Sequence, residues 1–256
     1  LLCKLMGTKI IIRSNSSPSG WSENVIKKFF YKKIYGLADK IIVNSLSFKK
    51  ELNSKFKLKS ICIYNPLNKK EIYKNSKEKI KIDFFKKKSL NIINVARFSD
   101  QKDHECLIRS INILRYDYDI RLILLGTGPL KKKIKDLIEK FNLSKSIKII
   151  NFKKNPYPFI MKSDLFILSS KYEGSPNVLL EAIFLRKFVI SSNCPTGPKE
   201  ILDNGKGGEL FKVSDYSMLS EKIKFFVKNK KNLNFKKVYA FKRLKRFDYK
   251  LSLIHI

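Results

Sequence analysis

The chain has 256 residues, which is enough for one large domain or two of ordinary size. Hydrophobic residues make up 43% of it and aromatic residues 12%, which excludes a wholly disordered protein. Its apolar runs are all shorter than the roughly 18–20 residues that a membrane-spanning helix requires. The first residue is not Met and no signal-peptide layout follows, so we expect a chain that begins inside a longer protein.

Lys and Arg number 55 against 22 acidic residues, giving a net charge of +33 that would attract nucleic acid or an anionic membrane surface. Only eight of these are Arg, and Lys is spread through every segment. This distribution favours compositional bias and a peripheral membrane role, because phosphate readers usually rely on Arg. The four cysteines lie far apart without a CxxC pair, which indicates reduced thiols in a cytoplasm (Cys3, Cys62, Cys106 and Cys194).

Short apolar runs alternate with helical patterns along the chain, which is typical of an α/β protein with parallel strands. In the first part we predict strands over 9–13, 40–44 and 60–64, with helices over 23–37 and 47–56. Residues 68–88 are rich in Lys, Asn and Glu and poor in core residues, which predicts a linker. The predicted units are therefore 1–80, a partial Rossmann-like domain with its linker, 81–215, and basic C-terminal helices over 216–256.

The pattern then restarts with greater regularity and predicts a second doubly wound sheet. We predict its strands over 90–96, 121–125, 146–150, 164–169 and 188–192. The predicted helices between and after these strands cover 105–114, 130–141, 158–162, 176–185 and 197–202.

Candidate binding residues follow the strands, because ligands of open α/β sheets bind beyond the carboxyl ends of the strands. Arg97 and Lys102 follow the first strand of this unit and suit a diphosphate, although a basic loop is the alternative. Gly126 and Gly128 follow the second strand and allow a ligand to approach the backbone closely, or form a plain tight turn.

The strongest signal follows the strand over 164–169. Ser175 can act as an N-cap with Pro176 at the first helical position, so that free amides of the helix form an anion site. Glu173 just outside this helix and Glu181 inside it suit sugar hydroxyls, which need acceptors; solvated surface charges are the alternative. Besides Gly126, Gly128 and Glu181, the candidate substrate-binding residues are Gly174, Ser175, Pro176, Asn177 and Val178.

Three other features have plainer explanations. Residues 192–200 contain two prolines and a glycine, and either line the same rim or form a structural loop. Asp117 and Asp119 match a metal-binding DxD pattern but lie where a helix leads into a strand, so we predict a solvated turn. His104 and His255 lack metal-ligand spacing, and His104 is expected to cap or border a helix. We therefore expect no metal and no cofactor.

Four ordered motifs resemble those of retaining glycosyltransferases of the GT-B fold, family 4. Glu173 and Glu181 are similar to the EX7E motif of that family. Residues 94–103 resemble its "VGRL…QK" segment, 126–129 its "GxGP" turn, and 193–202 the "DCPxGPxEIL" stretch of bacterial members that build surface polysaccharides. Residues 38–45 look like the end of the family's N-terminal domain. Ala96 replaces a usual glycine and Asn193 a common aspartate.

The resemblance implies two Rossmann-like doubly wound domains, the N-terminal, acceptor-side one incomplete, and a hexosyltransferase. The sugar would pass from a nucleotide-diphosphate donor, with UDP favoured, to a glycan or lipid-linked glycan. Arg97 and Lys102 would hold the diphosphate in place of a metal, Glu181 would accept from the ribose, and Glu173 would contact the transferred sugar. Amides of the loop over 174–177 would cradle the donor.

Several alternatives stay open at this stage. A GT-B nucleotide-sugar epimerase, a basic nucleic-acid-binding protein and a non-catalytic remnant are the competing hypotheses. Family members are longer, so we expect that roughly the first quarter is missing and that this chain alone has uncertain activity. Residues 13–18 either face the cleft or form a turn. We expect a cytoplasmic location, with peripheral association at the inner face of an anionic membrane and no specific nucleic-acid partner.

Overall fold

The computed structural model describes residues 4, 6–15 and 24–248. Cys3, residues 16–18 of the segment expected at the cleft, and His255 lie outside the described residues. Two parallel sheets organise the fold, one of three strands in the order β1-β2-β3 and one of six in the order β6-β5-β4-β7-β8-β9. The predicted α/β class with parallel strands is confirmed.

The first sheet is small and packs against two helices. Its strands are β1 (Ile11–Ser14), β2 (Lys40–Val43) and β3 (Ile61–Cys62), and its helices are α1 (Val25–Gly36) and α2 (Leu46–Lys55). Each helix begins at a polar N-cap that accepts first-turn amides, as such residues commonly do. Asn24 accepts from Ile26 and Lys27, and Ser45 accepts from Phe48. Val43, Phe48 and Leu52 form the fully buried centre of this unit.

A helix lies inside the segment predicted to be a linker, so that prediction is wrong for its first third. This helix, α3 (Lys69–Ser76), begins at Asn68, whose side chain accepts from the amide of Glu71. Ile72 is 2% exposed and packs in the core of the second unit. One core residue in an eight-residue helix leaves too weak a periodicity to recognise in the sequence.

The second sheet has six parallel strands that are connected through helices. Its strands are β4 (Leu90–Val95), β5 (Ile120–Leu125), β6 (Ile147–Ile150), β7 (Leu165–Leu168), β8 (Phe188–Ser192) and β9 (Glu209–Phe211). The helices between them are α4 (His104–Leu114), α5 (Lys131–Lys140), α6 (Tyr157–Lys162), α7 (Asn177–Phe184) and α8 (Pro198–Ile201). The chain proceeds outward from β4 on one side and from β7 on the other, so the strand order reverses between these neighbours. The loops after β4 and β7 therefore meet at the crevice where such folds bind ligands.

The basic C-terminal segment is part of the core of the second unit. Helix α9 (Tyr216–Asn229) packs against α4 with three buried residues, Leu219, Ile223 and Phe226. Helix α10 (Asn234–Arg243) lies against α7, where the Phe184 and Phe241 rings stack at 5.9 Å. Within the described residues, no helix combines the length and apolarity needed to cross a membrane.

The end of the described chain returns to the segment that joins the two sheets. A turn of 3-10 helix, Leu244–Phe247, follows α10. The carbonyl of Phe247 accepts from the amide of Leu67 at 2.9 Å, and its ring meets the Tyr64 ring edge-on at 4.8 Å. The two units are thus joined both by the chain connection and by this returning turn.

Candidate active site

A cleft of about 670 Å³ opens at the carboxyl ends of β4 and β5. We call it the main cleft; its lining includes Val95, Ala96, Arg97, Leu125, Gly126, Thr127 and Gly128, and across from them Phe152, Lys153, Lys154, Pro156, Tyr157 and Glu181. Four predicted site residues are therefore brought together here: Arg97, Gly126, Gly128 and Glu181. All of the lining belongs to the unit built on the second sheet.

The loops after β4 and β5 touch each other through bare backbone. A Cβ added at Gly126 would lie 1.9 Å from the carbonyl oxygen of Ala96, and one at Gly128 would lie 2.4 Å from that of Phe98. Neither neighbour can give way, because both contacts are with main-chain atoms. Phe98 also donates its amide to the carbonyl of Thr127 at 2.9 Å, which fastens the two loops together. The glycines therefore bring these loops into direct contact along one wall of the cleft.

The two predicted diphosphate-binding cations lie in different surroundings. Arg97 is exposed and lines the main cleft. Lys102 ends a turn of 3-10 helix, Asp100–Lys102, and its ammonium lies 2.6 Å from the Glu173 carboxylate. The side chains of this ion pair are only 19% and 8% exposed. Arg97 is thus the cation available to a ligand, while Lys102 neutralises a buried carboxylate.

The loop after β7 is fastened to its neighbours on both sides. Ser170 donates its hydroxyl to the Glu173 carboxylate at 2.6 Å. The backbone of Glu173 is held by the loop after β8, where its carbonyl accepts the Thr196 hydroxyl and its amide approaches the Pro195 carbonyl at 3.4 Å. On the other side Gln101 donates its side-chain amide to the carbonyl of Tyr172 at 2.8 Å. Glu173 is therefore fixed before any ligand arrives.

The helix after this loop begins one residue later than predicted, so the assignment of Ser175 as N-cap and Pro176 as first helical residue is wrong. Pro176 is the N-cap, with an extended backbone (φ −69°, ψ 103°), and α7 begins at Asn177. Pro176 has no side-chain acceptor, and no side chain in the described part of the chain caps the first-turn amides. Ser175 is buried and lies one position before the N-cap, so its side chain does not cap these amides. Val178, the second residue of α7, is partly buried in the core of this unit.

Glu181 is a carboxyl group of the main cleft that has few hydrogen-bond partners. It lies in the middle of α7 and lines the cleft. Burial raises its pKa to about 7, and a hydrogen bond from Tyr157 opposes that rise only in part. Burial and the nearby Glu181 raise the pKa of Tyr157 to about 12, so the phenol remains a donor. A ligand that brought hydroxyl donors to Glu181 would satisfy a partly buried acceptor.

The unit built on the first sheet contacts the same loop. A Cβ on Gly174 would lie 1.6 Å from the carbonyl oxygen of Asn15, which also accepts from the Asn44 side chain at 3.2 Å. Asn65 bridges two further residues, accepting from Arg13 at 3.1 Å and donating to the Asn177 side chain at 3.0 Å. Of the segment predicted to face the cleft, Asn15 meets the loop after β7, but none of the described residues 13–15 lines the main cleft.

Sequence reasoning missed Asn44 and Asn65 as neighbours of this loop. Asn44 directly follows β2, and Asn65 is the third residue after the short strand β3. Polar residues at the carboxyl ends of parallel strands are a recognisable signal. Applying it to the first sheet as well as the second would have marked both as candidate residues, although not their contact with this loop.

The remaining candidates lie away from the cleft or serve the fold. Asp119 pairs with Arg121 at 3.2 Å and accepts from the Ser89 hydroxyl, at the amino end of β5. His104 is the first residue of α4, and burial lowers its pKa to about 4 beside the edge of the Phe98 ring. In the ranges that the structure describes, no group of three or more His, Cys, Asp or Glu side chains could hold a metal ion.

A family model described as glycosyl transferases group 1 matches residues 75–243. The chain is 36% identical over 205 residues to an uncharacterized glycosyltransferase of Methanocaldococcus jannaschii, covering 76% of this chain and 50% of that protein. It is 27% identical over 258 residues to the N-acetylgalactosamine-N,N'-diacetylbacillosaminyl-diphospho-undecaprenol 4-alpha-N-acetylgalactosaminyltransferase of Campylobacter jejuni, covering 97% and 69%. It is 30% identical over 173 residues to an amylovoran biosynthesis glycosyltransferase of Erwinia amylovora, covering 67% and 48%. The chain thus spans about half the length of the first and third of these relatives.

Solved structures share the fold at lower sequence identity. The Anabaena protein HepE, in complex with UDP and glucose, superimposes with a TM-score of 0.83 at 17% identity, covering 99% of this chain and 72% of that one. Sucrose-phosphate synthase of Thermosynechococcus elongatus gives 0.84 at 18% identity, covering 98% and 68%. These likenesses establish the GT-B fold.

Proposed function

Because the chain belongs to the group 1 glycosyltransferases, we propose that its main cleft binds a nucleotide-diphosphate sugar and that it transfers the sugar with retention of configuration. The observation that carries the proposal is Glu181, a partly buried carboxyl group that lines a cleft of about 670 Å³ at the carboxyl ends of β4 and β5. Sugar hydroxyls are the donors such a group requires.

Arg97 is the proposed principal contact of the diphosphate. Its guanidinium is exposed at the cleft and can grip two phosphate oxygens at once. Lys153 and Lys154 line the opposite side and add positive charge. The first-turn amides of α7, which lack a side-chain cap among the described residues, are a second set of donors beside the same loop.

Glu181 is the proposed acceptor for the ribose hydroxyls, which places the nucleoside deep in the cleft. UDP is the favoured nucleotide, since HepE and TarM of Staphylococcus aureus were both solved with UDP bound. Gly126 and Gly128 leave room for the donor beside bare backbone. The base itself would lie against Phe152 or Tyr157, the aromatic residues of the lining.

Glu173 and Lys102 are proposed to act as a unit beside the transferred sugar. The carboxylate would contact the sugar near the reacting carbon, and the ammonium would move towards the diphosphate as its charge develops, acting in place of a metal. Stabilisation of the leaving diphosphate is then the main catalytic contribution. The leaving phosphate would take the proton of the acceptor hydroxyl, which attacks from the same face of the sugar.

The proposed acceptor is a glycan or a lipid-linked glycan at the inner, cytoplasmic face of a membrane. The name of the Campylobacter relative describes transfer onto a diphospho-undecaprenol-linked sugar. Helix α1 would suit an anionic lipid surface, since Ile26, Phe29, Phe30 and Ile34 are each more than half exposed among four lysines of the same helix.

Calorimetric titration with UDP, GDP and ADP tests the donor site. We expect UDP to bind and Arg97→Ala to weaken it about ten-fold, the effect of losing one strong charged contact. Glu181→Ala should weaken it about five-fold or more, whereas Lys81→Ala, a highly exposed lysine in an ion pair with Asp83, should change nothing. A folded sample that bound no nucleotide, or that bound polynucleotide with a steep salt dependence instead, would contradict the proposal.

A further inference from the structure

Glu200 belongs to the second unit by sequence, but its carboxylate accepts hydrogen bonds from residues of the first unit. It lies in α8, yet its four hydrogen bonds come from residues 136–154 positions away. One carboxylate oxygen accepts the amide of Leu46 at 3.1 Å and the Tyr64 hydroxyl at 2.6 Å. The other accepts the amide of Ser47 at 3.0 Å and its hydroxyl at 2.6 Å.

Three of these four donors lie at a helix N-terminus, where a negative charge is favourable. Leu46 and Ser47 are the first two residues of α2, so their amides have no partner within the helix. Burial raises the pKa of Glu200, but the hydrogen bonds from Ser47 and Tyr64 outweigh it and leave the pKa below the ordinary value. The ionised form is therefore the one that joins the two units.

The backbone of Glu200 is also held in place, by a residue near the end of the described chain. Arg246, in the returning 3-10 turn, donates to the carbonyl of Glu200 at 2.6 Å and to that of Ile201 at 3.1 Å. These carbonyls end the short helix α8, where a cation is favourable. Glu200 is therefore held by its carboxylate to α2 and by its carbonyl to Arg246.

The residues just before Glu200 hold the proposed catalytic loop. Thr196 donates its hydroxyl to the carbonyl of Glu173, and Pro195 accepts the Glu173 amide. Gly197 lies so close to the Gly174 carbonyl that an added Cβ would be 2.2 Å from its oxygen. A continuous set of contacts thus runs from α2 through Glu200 and residues 195–197 to Glu173.

We propose that Glu200 is a positioning residue for the transfer reaction, which rests on the function proposed above. Its carboxylate fixes the first unit against the loop after β7, and through residues 195–197 it keeps Glu173 in register with the main cleft. It is not among the residues that line the main cleft. Loss of Glu200 should therefore loosen the loop without weakening nucleotide binding.

The test is Glu200→Gln in the full chain, followed by amide hydrogen exchange and by UDP calorimetry. Glutamine places an NH2 group against one backbone amide and one hydroxyl, so that backbone amide loses its acceptor and the hydroxyl must turn to accept instead of donate. We expect exchange to quicken about ten-fold in peptides covering 45–56 and 170–176, the effect of one lost hydrogen bond to a charged group. UDP affinity should change by less than about two-fold, because the contacts proposed for it are intact.

Glu209→Gln is the matched control. Its carboxylate is also buried and doubly bonded, to Lys222 at 2.7 Å and Lys236 at 2.5 Å, but within the second unit alone. It should leave exchange in both peptides as in the parent chain. Ser47→Ala removes a single hydroxyl donor, and it should quicken exchange in the same two peptides by a smaller factor if Glu200→Gln proves too unstable to study.

Unchanged exchange over 170–176 in Glu200→Gln would overturn the proposal, because a helix cap without a positioning role affects only 45–56. Equal quickening in Glu209→Gln would do the same. The exchange experiment is performed without nucleotide, so a failure of UDP to bind the parent chain would count against the proposed function and leave the exchange result intact.

Discussion

Glu181→Gln is expected to stabilise the free protein at pH 8 while weakening its hold on a nucleotide sugar. In the unfolded chain this carboxyl group ionises near its ordinary value of 4.5, but in the fold burial raises its pKa to about 7. The fold therefore favours the neutral acid. Glutamine keeps the size and the neutral state of that acid at every pH.

The magnitude follows from the size of the pKa shift. A change from 4.5 to about 7 corresponds to about 3 kcal/mol, at about 1.4 kcal/mol per pH unit. For a carboxyl group with a raised pKa, the stabilising contribution is complete below pH 4.5 and is lost as the pH rises to about 7. The free energy of unfolding of Glu181→Gln, relative to the parent chain, should therefore increase by up to about 3 kcal/mol between pH 4.5 and 8.

Urea unfolding of both chains at pH 4.5, 6 and 8 measures this difference. The other titrating groups of a chain with a net charge of +33 cancel in the comparison. Glu209→Gln is the control of opposite sign. Burial raises the pKa of Glu209, but Lys222 and Lys236 together lower it below the ordinary value, so its contribution is lost as the pH falls. A Glu181→Gln difference that stayed flat with pH would refute the reasoning.

The second half of the prediction concerns ligand binding. If ribose hydroxyls donate to Glu181, binding favours the carboxylate, and affinity should rise about ten-fold from pH 6 to pH 8. UDP-glucose is the better probe, because the terminal phosphate of UDP itself titrates near pH 6. Glu181→Gln should bind UDP-glucose more weakly and without this pH dependence. A variant that retained the parent's pH profile would show that another group titrates.

Two further predictions concern the loops around the main cleft. Lys102→Met should destabilise the protein by about 3 kcal/mol, because it leaves the Glu173 carboxylate buried without its cation. Urea unfolding should show that most of this loss is recovered in the double variant with Glu173→Gln. Lys171→Met, which breaks a more exposed ion pair, should destabilise the protein by less than about 1 kcal/mol. Gly126→Ala would place a Cβ 1.9 Å from the carbonyl oxygen of Ala96, so we expect at least about 2 kcal/mol of destabilisation and weaker UDP binding, and an unchanged melting temperature would contradict this contact.

The strands and helices of the second unit could be predicted because each is signalled by residues that are neighbours in the sequence. Each strand is a short apolar run followed by a turn signal, and Gly126 and Arg97 occupy the places that such strand ends predict. Local rules also produced the error at α7, where Ser175 and Pro176 fit the usual start of a helix. Pro176 instead has an extended backbone, and the neighbouring Gly174 packs against Asn15 of the first unit.

Contacts between the units had no comparable signal. Asn65 and Asn177 are 112 residues apart, and Ser47 and Glu200 are 153 apart. Periodicity and spacing describe neighbours along one element, so they say nothing about which loop of one sheet meets which loop of another. Glu200 could be noticed in the sequence only as part of a motif, without a partner or a role.

The two glutamates of the EX7E pattern look equivalent in the sequence, but the fold supplies many hydrogen-bond donors to one and few to the other. Glu173 receives an ammonium group and a hydroxyl, and the loop after β8 holds both its backbone amide and its carbonyl. Glu181 receives a hydrogen bond from Tyr157 that does not offset its burial. A carboxylate already surrounded by donors gains little from a ligand, whereas one short of donors gains much. The affinity for a donor substrate should therefore depend on Glu181, while Glu173, already held in position, should contribute mainly to the rate of transfer.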